Sequence, residues 1–429
     1  MSSDKILVVG AGPAGLRAAI TLADNGQRVV VAEQAAGIGG AVYAMLRGVD
    51  RSGKGGAIPP EAQALASDLA ARRGMIDIRC STSFAGLDYT GAALLVGRNG
   101  AIFRPKAVIF ATGARELVRP RPGWIGPRVT TAGALQVELK TTGTVGQSRI
   151  VLAGSGPLLY AIGAQMARAG RPPLAILDEA FPFRHPFAAM GLPVAILREA
   201  AGYVASLWLA RVRILSGVTV ERIDHAGEAL EIRTSHKGRF QTITADRLAL
   251  HDGLARNDYG IPESAAVPIA LAGDCREVLG RWAAESDGRR AARDILGALG
   301  STRTDKPSAS LAGYASAQKR LAVMFASDQQ DHLKALPEDT VLCRCENRTL
   351  GDLRCATADH ATPRSLRLNG RYGMGPCQGR FCLDWVEKLA GEPFGTQSTR
   401  GNRWPLRPIS VADILAADPL SPNPPSNTK

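Results

Sequence analysis

Four cysteines late in the chain are the residues whose type and spacing most directly announce chemistry. Cys343-x-Cys345 and Cys377-x4-Cys382 form two tight pairs separated by thirty-one residues. Four thiolates in two pairs suit either a zinc ion or a 2Fe-2S cluster, and the spacing leaves both open. Gly373, Gly375 and Gly379 would let backbone N–H groups approach bound sulfur, and Thr349 with Asp352 offers a capping box for a helix between the pairs. The chain has seven cysteines. Cys80, Cys275 and Cys355 lack such pairing and are expected as small buried hydrophobes. Cys275 has no CxxC partner, which disfavours a thiol-reductase mechanism.

A second kind of chemistry lies in two glycine loops. Gly10-Ala11-Gly12-Pro13-Ala14-Gly15 follows an apolar strand and opens a helix, so its glycines stand where a tight turn, close approach to a pyrophosphate and close helix packing are needed. The helix start offers unpaired N–H groups to phosphate. Glu33 closes the next strand, where an acid receives ribose hydroxyls. Ala111-Thr112-Gly113 and Ala272-Gly273-Asp274 resemble elements of two-dinucleotide flavoproteins and point to FAD, with Asp274 toward the ribityl and pyrophosphate region or capping a helix. Gly154-Ser155-Gly156 opens the second loop with Asp178 at the ribose position, but Leu159 replaces the third glycine. That leaves open NAD(P), another adenine nucleotide or a vestigial site.

The elements that must position these residues follow from hydrophobic period. Lys5–Val9, a helix from Pro13 to Asn25 and a strand Arg28–Glu33 make a βαβ opening. The pattern recurs at Arg149–Ala153, Pro157–Ala169 and Leu174–Leu177. Glu61–Arg73 is expected to be helical, and Ala93–Phe110 a hairpin turned at Asn99-Gly100 that returns along Ala107–Phe110. Strands Leu230–Thr234 and Gln241–Thr244 meet at a turn over residues 236–238, Ala270–Asp274 reads as a strand, and Arg289–Leu299 as a helix. A linker over residues 300–307 precedes the cysteine-bearing part, and the Pro/Ser/Asn-rich tail is expected to be disordered.

The fold class expected is therefore α/β: a two-dinucleotide-binding-domain flavoprotein with a small C-terminal module. Residues 1–115 and 255–305 would form the FAD domain, 116–254 an inserted NAD(P)-like domain, 306–416 the cysteine module and 417–429 the tail. With 429 residues there is room for these cores. The formal charge of +13 is scattered rather than gathered with aromatics, which argues against nucleic acid. No stretch reaches the length of a membrane span, the apolar run Gly202–Ala210 being closed by Arg198 and Arg211. The N-terminal apolar run is too short for a signal segment, and the clustered cysteines suit a reducing cytoplasm.

At these residues the sequence resembles a family: the large FAD/2Fe-2S subunits of bacterial opine oxidases, hydrogen cyanide synthase and D-hydroxyproline or amino-acid dehydrogenases, akin also to the alpha subunit of sarcosine oxidase. Besides both glycine loops, the likeness rests on Gly123-Trp124, Val129–Ala134, His251-Asp252-Gly253 with Asn257, Gly373–Cys382 and Arg403–Ser410. It implies that Cys343, Cys345, Cys377 and Cys382 hold 2Fe-2S, as in bacterioferritin-associated-ferredoxin-like domains. The partners it implies are a smaller FAD-dependent amine-oxidising subunit, with room for a small ferredoxin-like subunit, and an external electron acceptor. The sequence departs from the pattern at Gly39-Gly40-Ala41, where relatives carry Gly-Gly-Gln beside the flavin, and in a shortened segment between Asn257 and Gly273. No acid/base or nucleophilic constellation assigns catalytic residues. Its six histidines are dispersed, and His251 is expected to be bonded to backbone. The alternatives are a self-contained NAD(P)H-dependent ferredoxin-type reductase and a non-catalytic iron-sulfur assembly subunit.

Overall fold

The computed structural model describes residues 4–47, 58–98, 100–146, 148–301, 310–327, 329–357, 362–391 and 405–417. Asn99, His360, most of the 300–307 linker and the tail beyond 417 lie outside the described residues. The chain divides into two compact units, one of residues 1–115, 256–312 and 397–429, the other of 116–255 and 313–396.

The first unit is built on a five-stranded parallel sheet in the order Ile269–Leu271, Ala107–Phe110, Lys5–Val9, Arg28–Ala32, Ile76–Arg79. Its central strands are continuous runs of Val, Ile and Leu because both faces are covered. Helices Pro13–Asp24 and Arg281–Ala298 pack on one face around Ile6, Val8, Leu16 and Ile295. The other face, carrying Leu7, Val30 and Phe110, packs on an antiparallel sheet through Leu87, Ala93 and Leu95. That small sheet is Thr82–Leu87, Ala93–Gly97 and Ala101–Phe103. The hairpin therefore returns along Ala101–Phe103. Ala107–Phe110, expected in the hairpin, runs parallel to Lys5–Val9, because a strand apolar at all four positions is better buried at the sheet centre. Residues 405–417, expected with the cysteine module, pack on the hairpin instead: the Leu406 N–H donates to the Ala85 carbonyl and Ala417 joins Ala85, Leu94 and Val96.

The second unit repeats this design. Its parallel sheet runs Arg213–Ser216, Ala175–Asp178, Ile150–Gly154, Arg247–His251, Val129–Thr131. Helices Ala132–Thr142, Pro157–Arg168 and Val194–Leu209 lie on one face. On the other lies a three-stranded antiparallel sheet, Thr219–Ala226, Ala229–His236 and Arg239–Ala245. The cysteine segment groups with this unit rather than standing as a third one. It does have a small core of its own, with Leu342, Leu353, Tyr372 and Val386 around Cys343 and Cys382. The Trp124 indole N–H donates to the Val341 carbonyl at 2.7 Å, which anchors the strand entering the first cysteine pair.

The two helices of the first unit touch backbone to side. A Cβ added at Gly288 would lie 2.2 Å from the Ala14 carbonyl oxygen, so the helix axes can approach only because Gly288 has no side chain. Gly288→Val is expected to destabilise the first unit by about 2–3 kcal/mol. Thermal unfolding followed by circular dichroism should show an early transition for this variant.

Candidate cofactor sites

In the first loop, each glycine meets a different neighbour. A Cβ at Gly10 (φ +104°) would sit 2.5 Å from the Ala111 carbonyl oxygen, and one at Gly15 would sit 2.0 Å from that of Gly10. These two glycines are demanded by the protein itself. Gly12 is not: its backbone is extended, and an added Cβ would meet nothing nearer than the Gly40 Cα at 3.9 Å. The open space at Gly12 lies at the start of helix Pro13–Asp24, which no side chain caps. Free N–H groups at an uncapped helix start are what a pyrophosphate requires. Pro13 and Ala14 form the first helical positions and are buried, Pro13 costing no hydrogen bond there.

Glu33 is 6 % exposed and accepts from the Ala11 N–H and the Ala35 N–H, both at 2.8 Å. The carboxylate is thus fixed at the loop. Gly40 adopts φ +60° with its Cβ position 3.0 Å from the Gly12 Cα, so a side chain there would press on the loop. Thr112 follows Ala111 and is locked by Asn257, whose side-chain amide donates to the Thr112 carbonyl at 3.1 Å while its backbone N–H donates to Gly113 at 3.0 Å. The Thr112 hydroxyl lies 3.1 Å from the Cys275 sulfur. Burial pushes the Cys275 thiol up to about 11, so it stays protonated and unreactive.

The Gly273 N–H donates to Asp287 at 2.7 Å. Asp274 accepts from the Leu279 and Gly280 N–H groups, both at 2.9 Å, through one oxygen, and burial raises its pKa. Asp274 therefore fixes the turn that leads into helix Arg281–Ala298, whose first turn no side chain caps and which begins eight residues before the predicted Arg289 start. Asp287, 1 % exposed inside that helix, holds the Gly273 turn together with Arg276 and Arg290. It was not legible beforehand, since the pattern starts the helix only at Arg289 and an acid just before it, near Glu285 and Asp294, reads as solvated surface.

The second loop is arranged differently. Gly154 (φ +131°) would place a Cβ 1.8 Å from the His251 carbonyl oxygen, and Gly156 would place one 3.2 Å from the His251 ring. Leu159 at the third position is fully buried. Asp178, the expected ribose acid, is 0 % exposed and already taken: it accepts from the Tyr160 hydroxyl at 2.8 Å and the Ala180 N–H at 2.9 Å. The Phe325 ring stands 5.9 Å from the Tyr160 ring, and the Phe325 carbonyl accepts from the Ser155 hydroxyl at 2.8 Å. Protein groups thus bond the loop and its acid where a nucleotide would.

Around this sheet end, sequence reasoning missed a set of buried charges. Arg119 and Arg121 are each 2 % exposed and pair with Glu179, and Arg121 also bridges Asp252 at 2.6 Å. Burial opposes ionisation of Asp252, but the Arg121 and Arg119 guanidiniums outweigh it and hold the carboxyl below its usual range. His251 bonds the Glu116 carboxylate at 2.9 Å through Nδ1, rather than a backbone group as expected. The Arg-Pro-Arg segment carries no periodicity, so only the folded chain shows it to be internal.

The four paired cysteines come together in the second unit. Cys343 and Cys382 hydrogen-bond each other, as do Cys345 and Cys377. The bond from Cys382 lowers Cys343 to about 6, and its proton is held correspondingly tightly on Cys382. The Gly373 N–H donates to both of these sulfurs. A Cβ on Gly375 would sit 2.4 Å from that of Cys345, so this position must be bare for the pairs to meet. The capping box also forms, Thr349 and Asp352 bonding reciprocally at the start of helix Leu350–Thr357. Among the described residues, no group of three or more His, Cys, Asp or Glu side chains is disposed to hold a single metal ion. Of the other cysteines, Cys275 is buried as expected. Cys80 is only half-buried and Cys355 is exposed, because the helix carrying Cys355 turns Leu350 and Leu353 inward instead.

Two parallel sheets, each with a glycine loop at a strand end, define a flavoprotein of the two-dinucleotide-fold class. The comparisons with known proteins agree: residues 4–274 match the model of the pyridine nucleotide-disulphide oxidoreductase family, and the chain belongs to that family. It is an FAD-dependent oxidoreductase. It is 31 % identical to the A subunit of the opine oxidase of Rhizobium meliloti (strain 1021), over 98 % of this chain and 100 % of that one. It is 28 % identical to the HcnB subunit of the hydrogen cyanide synthase of Pseudomonas protegens, over 96 % and 97 % of the two chains. The fold is shared with L-proline dehydrogenase from P. horikoshii, with a TM-score of 0.64 at 16 % identity over 96 % of this chain and 79 % of that one. Among the described residues, no helix is long and apolar enough to cross a membrane.

Burial lifts Asp178 to about 6, from ~3.9 in an unfolded chain. The folded protein therefore holds this proton more tightly. Its stabilising contribution is complete below pH ~4 and is lost as the pH rises through ~6. Asp178→Asn is expected to flatten the pH dependence of the melting temperature over that interval and to gain about 1–2 kcal/mol at neutral pH. Thermal shift measured from pH 4 to pH 8 checks this; a slope equal to wild type would assign the proton elsewhere.

Proposed function

We propose that this chain is the FAD- and 2Fe-2S-containing subunit of a heteromeric amino-acid or opine dehydrogenase, of which D-hydroxyproline is one candidate substrate. In this reading a smaller FAD-dependent subunit oxidises the amine, and electrons leave through this chain to an external acceptor. The observation that carries it is the pairing of the thiols. A two-iron cluster takes two thiolates on each iron, whereas zinc needs all four ligands around one point. Cys343 with Cys382 and Cys345 with Cys377 suit the first arrangement, and the double donation from Gly373 suits sulfur that carries negative charge.

The uncrowded backbone at Gly12, the uncapped helix and the fixed Glu33 fit the pyrophosphate and ribose of FAD. Bound FAD would exchange electrons in pairs and a 2Fe-2S cluster singly, so together they would couple amine oxidation to a one-electron carrier. The chain's own residues bind and orient. Gly10 and Gly15 set the loop, Gly40 leaves it room, and Asn257 with Thr112 fixes the strand end, with Ala111 and Gly113 on either side of Thr112. Gly273 and Asp274 hold the turn that opens the long helix. At the second loop, Tyr160 on Asp178 and the Phe325 carbonyl on Ser155 count against NAD(P)H as donor beside Gly154 and Gly156.

Three measurements test this. Anaerobically purified wild type is expected to contain about two irons and two labile sulfides per chain, and Cys345→Ser to lose both while keeping its flavin; zinc in their place would refute the cluster. Gly12→Val, whose Cβ would meet nothing nearer than the Gly40 Cα at 3.9 Å, is expected to weaken flavin retention at least ~100-fold while the unliganded protein melts as wild type does. Stopped-flow mixing with NADH or NADPH should leave the flavin absorbance unchanged.

A further inference from the structure

Helix Val194–Leu209 wears its amphipathicity inside out. Of its 16 residues only Leu207 is fully buried, packed near Gly163 of the neighbouring helix. The stripe facing solvent is Val194, Leu197, Ala201, Val204 and Trp208, spaced three and four apart. Val194 is 63 % exposed and Trp208 77 %, with Leu209 beside it at 73 %. A soluble helix normally presents polar residues on this side, and a three-four alternation over more than two heptads is the seam of a helix pair. In the short turns just before this helix, Met190, Phe187 and Phe183 are also 79 %, 82 % and 67 % exposed. Phe183, Phe187 and Trp208 together bare on the order of 450 Å², within the ~300–600 Å² that a monomer's largest apolar patch presents.

Charge narrows the occupant. Between residues 168 and 213 the exposed ionisable groups are His185 and the arginines 168, 171, 184, 198, 211 and 213. Asp178 and Glu179 lie inside, and Glu199 bonds Tyr203. A second copy of this surface would set arginine against arginine. We propose that the stripe seats a helix of the second subunit, one with an apolar seam flanked by Asp and Glu; this rests on the heteromeric reading above.

The test is co-expression with the smaller FAD-dependent subunit proposed above, using wild type, Trp208→Glu, Val204→Asp and Arg198→Glu. None of these residues touches a cofactor site. Wild type should co-purify as a heteromer. Trp208→Glu and Val204→Asp should each weaken the heteromer at least 100-fold by sedimentation, with flavin content, iron content and melting temperature unchanged. Arg198→Glu should weaken it about tenfold, and the wild-type affinity should fall with salt. A heteromer indifferent to Trp208→Glu and Val204→Asp overturns the proposal while leaving the heteromeric reading intact. If wild type forms no heteromer, both fall. Dimerisation of the chain alone that Trp208→Glu abolishes would assign the stripe to a second copy. Binding to phosphatidylserine vesicles that Trp208→Glu abolishes would assign it to a lipid surface; either result overturns the proposal.

Discussion

The first unit depends on backbones approaching where side chains would ordinarily keep them apart. Gly10 turns against the Ala111 carbonyl and Gly15 against Gly10, so the first helix begins directly over the ends of two central parallel strands. That closeness points the uncapped helix start at the open space beside Gly12. Glu33 can reach back to Ala11 only because its strand is registered beside the first. Gly288 extends the same logic to the far helix, and Asp287, one residue earlier, ties that helix to the Gly273 turn. The exposed helix start is thus the by-product of close packing at the ends of the central strands.

The second unit uses the same frame to a different end. Its strand order and its two covered faces match those of the first, and its loop again leans on the neighbouring strand through Gly154. What differs is which groups satisfy the loop. Tyr160 bonds the ribose-position acid, Phe325 bonds Ser155, and Arg119, Arg121, Glu179 and Asp252 fill the sheet end with mutually paired charge. Buried charges of this kind tolerate the loss of a partner poorly and contribute specificity more than net stability. A nucleotide fold has here become a scaffold for protein contacts.

The cysteine segment shows how little covalent spacing says about geometry. The pairs that form are not the sequence neighbours: Cys343 meets Cys382 and Cys345 meets Cys377, across the small hairpin and the helix that the Thr349–Asp352 box begins. Gly375 and Gly373 are required by that crossing, one leaving room for Cys345 and the other donating its N–H to sulfur.

Local chemistry was enough to read both βαβ openings, the capping box and the turn at residues 236–238, because each depends on neighbours within a few residues or on a strong period. Tertiary structure alone decided the rest. Ala107–Phe110 reads as a hairpin strand until the parallel sheet claims it. Asp178 reads as a ribose ligand until Tyr160, eighteen residues back, bonds it. Asp287, Arg119 and Arg121 read as surface until the fold encloses them, and the apolar stripe of Val194–Leu209 reads as core until the helix is seen to turn it outward. The physical reason is common to all four. Periodicity and spacing say which face of an element is apolar and which residues can turn, whereas partners distant in the chain determine what each face or charge finally meets.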